Sequence, residues 1–179
     1  MNWFFPVSTY GRSLAWKVTK RWVRQSFPSV PAVSTAQLAQ WLEADSSSHP
    51  VLIDARKLEE YAVSHLPNAY RAKTVAEVES LALSKDTPIV VYCSIGYRSG
   101  RLAQALRAVG YRAINLEGSI FQWANEKRAL ATDEKESKEQ SKEELSKEEQ
   151  IDQNKQVTHE VHPYNSFWGL LLNSSREPF

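Results

Sequence analysis

Between residues 32 and 130 the chain alternates short apolar runs with segments of helical spacing. VLIDA (51–55), IVVYC (89–93) and AINL (113–116) are short apolar runs rich in Val and Ile. Runs of this length and composition predict strands that are covered on both faces. The segments between them read as helices. Ser34-Thr35-Ala36-Gln37 is a capping-box pattern, and Leu38, Trp41 and Leu42 follow at helical spacing. KLEEYAV (57–63) predicts a short helix. Thr74-Val75-Ala76-Glu77 is a second capping box, opening a helix through about Leu83. Ser99 is the expected cap of GRLAQALRAV, with Leu102, Leu106 and Val109 on its inner face. Gly110 stands at the expected C-terminal stop, where positive φ is wanted. SIFQWANEKR (119–128) predicts the last helix, with Ile120, Trp123 and Ala124 inward.

Strands separated by helices predict an α/β fold, a small parallel sheet with helices on both faces. Ligands of such sheets bind beyond the C-terminal ends of the strands. Cys93 lies at one such end.

The flanks behave differently. Residues 1–31 form a basic, aromatic extension, with Arg12, Lys17, Lys20, Arg21 and Arg24 and no acid. On a helical wheel Trp3, Val7, Tyr10, Leu14, Val18 and Trp22 share one side, while Trp16 and Val23 fall outside that stripe. The first expectation is that this segment packs on the domain. Contact with a membrane surface and organelle targeting are the alternatives. Residues 131–160 are rich in Lys, Glu, Ser and Gln and predict a flexible charged linker. Glu134/Lys138 and Glu143/Lys147 leave room there for transient helix. Residues 161–179 regain aromatics at Tyr164, Phe167 and Trp168, followed by Leu170–Leu172, and predict a tail that docks.

Composition sets limits on the chemistry. Over 179 residues, 42% are hydrophobic and 24% charged, with a net charge of +1, so nothing global draws the chain to nucleic acid or to a membrane. The single cysteine excludes an internal disulfide, a dithiol redox pair and a multi-cysteine metal site. A free thiol fits a reducing compartment, and the cytoplasm is the expected location. His159 and His162 are followed by Pro163 without a third ligand in view, so no metal site is expected.

The one cysteine stands in YCSIGYRSGRL (92–102). A strand, a tight loop and a helix N-terminus form an anion-binding device of inward N–H groups and partial positive charge. Gly96 lets the backbone turn, and Arg98 adds a permanent cation. Together they favour thiolate over thiol. Free cysteines are often no more than small buried hydrophobes, but this context favours a reactive one.

Cys93-Ser94-Ile95-Gly96-Tyr97-Arg98-Ser99 resembles the active-site loop of single-domain rhodanese-like sulfurtransferases. VLIDARKLEEYAVSHLPNAYRA (51–72) is similar to that family's first motif, and INLEGSIFQW (114–123) to its closing motif. Three motifs in order span about residues 30–130 and make residues 32–130 the rhodanese-like domain. The resemblance implies a rhodanese-like fold, with Cys93 as nucleophile and Ser94 to Ser99 lining the substrate site. It implies that sulfane sulfur passes from a small donor, thiosulfate or a persulfide, through a Cys93 persulfide to a thiol acceptor such as a protein. It implies no cofactor. Cys93 and Arg98 enclose four residues, whereas related phosphatases and arsenate reductases use five, which favours sulfur over phosphate. Asp54 and Arg56, at a strand end, are expected to shape the pocket or to form a structural contact beneath the loop. His65 is expected to pack near its own turn, and Arg101 to be solvated. Three positions depart from the family pattern: Ser64, Asn68 and Ser119 each replace a glycine, and they are expected to loosen the local turns, Asn68 only mildly because Asn tolerates the left-handed region.

Overall fold

The computed structural model describes residues 9–44, 49–132, 161–163 and 171–172. Trp3, Val7, the side chain of Tyr10, nearly all of the 131–160 segment and Tyr164, Phe167, Trp168 and Leu170 lie outside the described residues.

Five strands form one parallel sheet: β1 (Ala32–Ser34), β2 (Val51–Asp54), β3 (Ala69–Arg71), β4 (Pro88–Tyr92) and β5 (Arg112–Glu117). Their order is β1-β5-β4-β2-β3, so β4 is central. All pairings are parallel, with Asp54 beside Tyr92 and Val91 beside Asn115. Six helices among the described residues pack around the sheet: α1 (Thr9–Ser26), α2 (Thr35–Glu43), α3 (Leu58–Val63), α4 (Val75–Glu79), α5 (Tyr97–Ala108) and α6 (Ser119–Asn125). The period of two along β4 divides the core. Val90 and Tyr92 join Leu38, Leu66, Ile120, Phe121 and Trp123 on one face. Ile89, Val91 and Cys93 join Val78, Leu102, Ala103 and Leu106 on the other. Helices thus cover both faces, which is why the central strand is apolar throughout.

Local signals placed several boundaries well. Ser34 and Gln37 close a reciprocal capping box at the start of α2. Thr74 accepts from the Glu77 N–H, but α4 ends at Glu79, short of Leu83. β1 and β3 were not foreseen, because three-residue edge strands carry too little periodicity. α6 stops at Asn125 rather than continuing through Arg128.

Two inner-face assignments are corrected. Val109 is 45% exposed, since α5 ends at Ala108 and the turn at Gly110 (φ +91°) folds the chain back to bury Tyr111. Ala103 takes the inner position instead. Ser99 does not cap α5. Its cap is Gly96, and Ser99 lies buried in the first turn.

The N-terminal helix does pack on the domain, but through the other face. Trp16, Val23 and the following Phe27 are buried, while Leu14, Val18 and Trp22 are 58%, 61% and 42% exposed. The wheel grouped apolar residues by angle. The domain selects the face whose shape fits: Phe27 rests on Gly100 of α5, where a Cβ would come within 2.5 Å of its ring. Trp16 joins the core and donates its indole N–H to the Leu171 carbonyl at 3.2 Å. Leu171 is itself buried, and Asn125 Nδ2 donates to the same carbonyl at 2.7 Å. This point of the C-terminal tail therefore meets both α1 and α6.

Candidate functional site

Cys93 follows the last residue of the central strand, and the chain then turns into α5. The turn is built from both sides of the sheet end. Gly96 adopts φ +109°, a conformation that a side chain strains against. The α6 N-terminus secures the start of the loop: the N–H groups of Ile120 and Phe121 donate to the carbonyls of Cys93 and Ser94, both at 3.1 Å. Ser119 is the third tie. Its hydroxyl accepts the Cys93 N–H at 3.1 Å and donates to the Leu116 carbonyl at 3.1 Å.

Asn115 of β5 holds the far side. Its Nδ2 donates to the Gly96 carbonyl at 2.9 Å, and its Oδ1 accepts from the Ser99 hydroxyl at 2.7 Å. Ser99 Oγ also lies 3.5 Å from Cys93 Sγ, and the Gly96 N–H points to that sulfur at 3.2 Å. A hydroxyl has one proton to give. In the thiol state Ser99 serves Asn115, and a thiolate competes for the same proton.

Arg98 is the second residue of α5. Its Nη1 and Nη2 donate to the two oxygens of Glu60, both at 2.7 Å, and Nη2 also reaches Ser94 Oγ at 2.9 Å. Ser94 in turn donates to Glu60 at 3.1 Å. Glu60 is buried, and α3 presents it to the loop.

Electrostatics at the sulfur oppose one another. Burial is the largest influence and pushes the Cys93 thiol up. The Arg98 charge and the hydrogen bonds from Ser99 and Gly96 together outweigh it, so the thiol lies below its ordinary value. Glu60 follows the same logic. Burial raises it, but the bonds and charge of Arg98, helped by the Lys57 N–H and Arg56, bring it below the usual carboxylate range.

Asp54 and Arg56 do not open onto the loop surface. Both are fully buried. Arg56 donates from Nε and Nη2 to Asp54 at 3.0 and 2.7 Å, and from Nη2 to the Ser64 carbonyl at 2.5 Å. This knot lies beneath Tyr92, whose hydroxyl accepts the Leu66 N–H at 3.0 Å. His65 is buried, stacks on Tyr61 with ring centroids 3.9 Å apart, and exchanges two backbone hydrogen bonds with Ala131.

Ile95 is buried and Tyr97 is 38% exposed. Tyr97 stacks on Trp22 of α1 at 4.7 Å and tilts against Phe27 at 5.2 Å. A groove lies beside the loop, between Val23 and Phe27 on one side and Ile95 and Asn115 on the other.

The sequence motif therefore brings Cys93, Ser94, Gly96, Arg98 and Ser99 into one cluster. Glu60, Asn115 and Ser119 were not picked out as parts of it. The expectation that Ser64 and Ser119 loosen their turns is also revised, whereas the mild change expected at Asn68 fits its backbone. Ser64 is extended at φ −171°, which any residue adopts. Asn68 takes the left-handed region at φ 60°, which Asn tolerates. Ser119, at φ 51°, adds a hydrogen bond to the loop that glycine lacks. Among the described residues no His, Cys, Asp and Glu group could hold a metal ion.

A parallel five-stranded sheet with a cysteine loop after its central strand is the architecture of a rhodanese-like domain. The family model for that domain matches residues 34–126, just over half of the chain. The chain belongs to the rhodanese-like family. A Bacillus subtilis (strain 168) protein, YtwF, is 33% identical over 98 residues, covering 54% of this chain and 93% of its own length. A sulfurtransferase of Allochromatium vinosum is 33% identical over 76 residues, covering 41% of this chain and 71% of its own. A tRNA uridine(34) hydroxylase of Cronobacter sakazakii is 34% identical over 86 residues, 44% of this chain but only 25% of that protein. Among solved structures, a thiosulfate sulfurtransferase of Pseudomonas aeruginosa shares the fold with a TM-score of 0.54 at 22% identity, over 65% of this chain and 23% of that one.

Proposed function

We propose that this protein is a sulfurtransferase in which Cys93 carries sulfane sulfur as a persulfide. The observation that carries the reading is the surroundings of Sγ: a single thiol held below its ordinary pKa by Arg98, Ser99 and the Gly96 N–H at the end of the central strand. Membership of the rhodanese-like family, with sulfurtransferases among its relatives, supports it.

In the first step the Cys93 thiolate attacks the outer sulfur of thiosulfate. A new S–S bond forms at Cys93, the sulfur–sulfur bond of the donor breaks, and sulfite leaves with the electron pair. In the second step an acceptor thiolate attacks the terminal sulfur, and the Cys93 thiolate leaves. Charge balances in both steps, and no oxidant is consumed. The loop serves each step in the same way. The N–H of Gly96 and the Ser99 hydroxyl stabilise negative charge on sulfur, which the two steps create and remove. The acceptor must come from outside, since the chain has no second cysteine.

Phosphate-ester hydrolysis fits less well. Arg98 is already paired with Glu60, which lowers its draw for a phosphate dianion. A binding module with an idle thiol is the other class of reading, and one measurement separates it. Mass spectrometry after incubation with thiosulfate is expected to show a gain of one sulfur on Cys93, absent in Cys93→Ala. No gain from thiosulfate or from a low-molecular-weight persulfide would overturn the proposal.

A further inference from the structure

α1 has two apolar faces, and the domain buries only one. Trp16 and Val23 hold the helix down. Leu14, Val18 and Trp22 form a second line along its outside, and each is exposed. Their spacing of four residues sets them one above another, over about 12 Å of helix at 1.5 Å per residue. Lys17, Arg21 and Arg24 are exposed beside this line, and the helix contains no acid. Arg24 reaches across to Glu117 of β5, while Lys17 and Arg21 stand farther out.

We propose that this outward face docks the protein on a membrane surface rich in anionic lipid. The combination of Leu, Val and Trp in one line with Lys and Arg beside it is the composition of helices that lie in the headgroup region. A bilayer of opposite charge satisfies both parts at once: the apolar side chains enter the acyl boundary and the cations meet the headgroups. The groove at this helix lies along its inner flank, against Val23 and Phe27, and not along the outer line. Among the described residues no helix is long and apolar enough to cross a membrane, so the helix lies on the surface rather than spanning it. The placement has a consequence for the cysteine loop. Trp22 stacks on Tyr97, so the docked edge of the domain is the edge that carries Cys93.

The test is co-sedimentation of the full chain with phosphatidylcholine vesicles, with and without phosphatidylglycerol. The protein is expected to sediment with the anionic vesicles and to be released by high salt. Leu14→Glu/Val18→Glu is expected to weaken binding at least about tenfold, since two apolar side chains lose their burial. Lys17→Glu/Arg21→Glu is expected to weaken it by a similar factor. Both variants keep the wild-type circular dichroism spectrum and sulfur loading from thiosulfate, because neither pair touches the core or the loop. Failure of the wild type to sediment with anionic vesicles overturns the proposal, as does equal binding to neutral ones. Undiminished binding of Leu14→Glu/Val18→Glu overturns it by moving the contact elsewhere. Binding to poly-L-glutamate through the same residues, without vesicle binding, would overturn it in favour of an acidic protein.

Discussion

Arg56 and Arg98 each grip a carboxylate near the C-terminal ends of two adjacent strands, β2 and β4, yet they occupy different worlds. The Arg56–Asp54 pair has both side chains at 0% exposure, and its remaining reach goes to a backbone carbonyl. The Arg98–Glu60 pair buries the carboxylate at 1% but leaves the guanidinium 29% exposed. The first pair lies against the aromatic ring of Tyr92, and the cation of the second lowers the pKa of the next residue, Cys93. One alternation of the strand separates a closed knot from an open one. A fully buried ion pair can do little but hold its neighbours in place, because any change in its charge is too costly. A pair open at one end can set the charge of a reacting group and still meet solvent and substrate. Chemistry alone does not distinguish the two arginines; exposure does.

The closed pair offers the largest effect. Asp54→Ala leaves Arg56 charged and buried without its partner, and is expected to cost about 3–5 kcal/mol of stability in urea unfolding. Asp54→Ala/Arg56→Met is expected to recover part of that loss, since the uncompensated charge is gone. A loss below about 1 kcal/mol in the single variant would mean that water reaches the site, and the contrast with Arg98 would fail.

Arg98→Ala breaks the open pair. It strands the buried Glu60 carboxylate, for an expected loss of about 1–3 kcal/mol. Its larger effect is on reactivity. The cation that lowers the Cys93 pKa disappears and an unopposed carboxylate remains, so the pH profile of thiol alkylation by iodoacetamide is expected to move to higher pH. Asp54→Ala, by contrast, is expected to leave that profile in place under conditions where it stays folded. An unmoved profile in Arg98→Ala would remove the role assigned to this arginine.

Glu60→Gln probes the same pair through acid. The carboxyl is lower in the folded protein than in the unfolded chain. Its contribution is therefore fully present above the unfolded value of about 4.3, and is lost as pH falls through the folded value. At neutral pH the variant is expected to be about 1 kcal/mol less stable than the parent. The gap is expected to close in acid below pH about 4, when measured by urea unfolding. A gap constant with pH would show that the loss comes from packing rather than charge.

The reach of sequence reasoning follows the distance over which each feature is built. The cysteine loop is written in one short stretch: strand end, glycine, arginine, helix. The caps of α2 and α4 are equally local, each a hydroxyl three residues from the N–H it accepts. Glu60 and Asn115 reach the same loop from 34 residues before Ser94 and 16 residues after Ser99. Within their own segments they read as an acid on a short helix and a polar residue in a strand. The loop motif singles out Arg98, but Arg56 at a strand end is left between a pocket and a structural contact, because burial is decided by what the other elements bring. α1 shows the same limit, since periodicity finds an apolar stripe but cannot say which of two faces a domain will accept. Its choice depended on Phe27 meeting Gly100, a fit of two surfaces far apart in the chain.

The smallest expected effect lies on the side of the loop that neither arginine touches. Ser119 holds a left-handed backbone angle, which costs a non-glycine residue energy, and its hydroxyl accepts the Cys93 N–H. Ser119→Gly relieves the first and loses the second, so the two changes oppose each other and the net change in stability is expected to stay below about 1 kcal/mol. Ser119→Ala keeps the strain and loses the bond, so it is expected to be the less stable of the two. The amide N–H of Cys93 is then freed from its partner, and hydrogen exchange at that amide is expected to quicken in both variants. If Ser119→Gly instead exchanges at the parent rate, the α6 contacts to the Cys93 and Ser94 carbonyls already hold the loop start, and the serine hydroxyl is dispensable there.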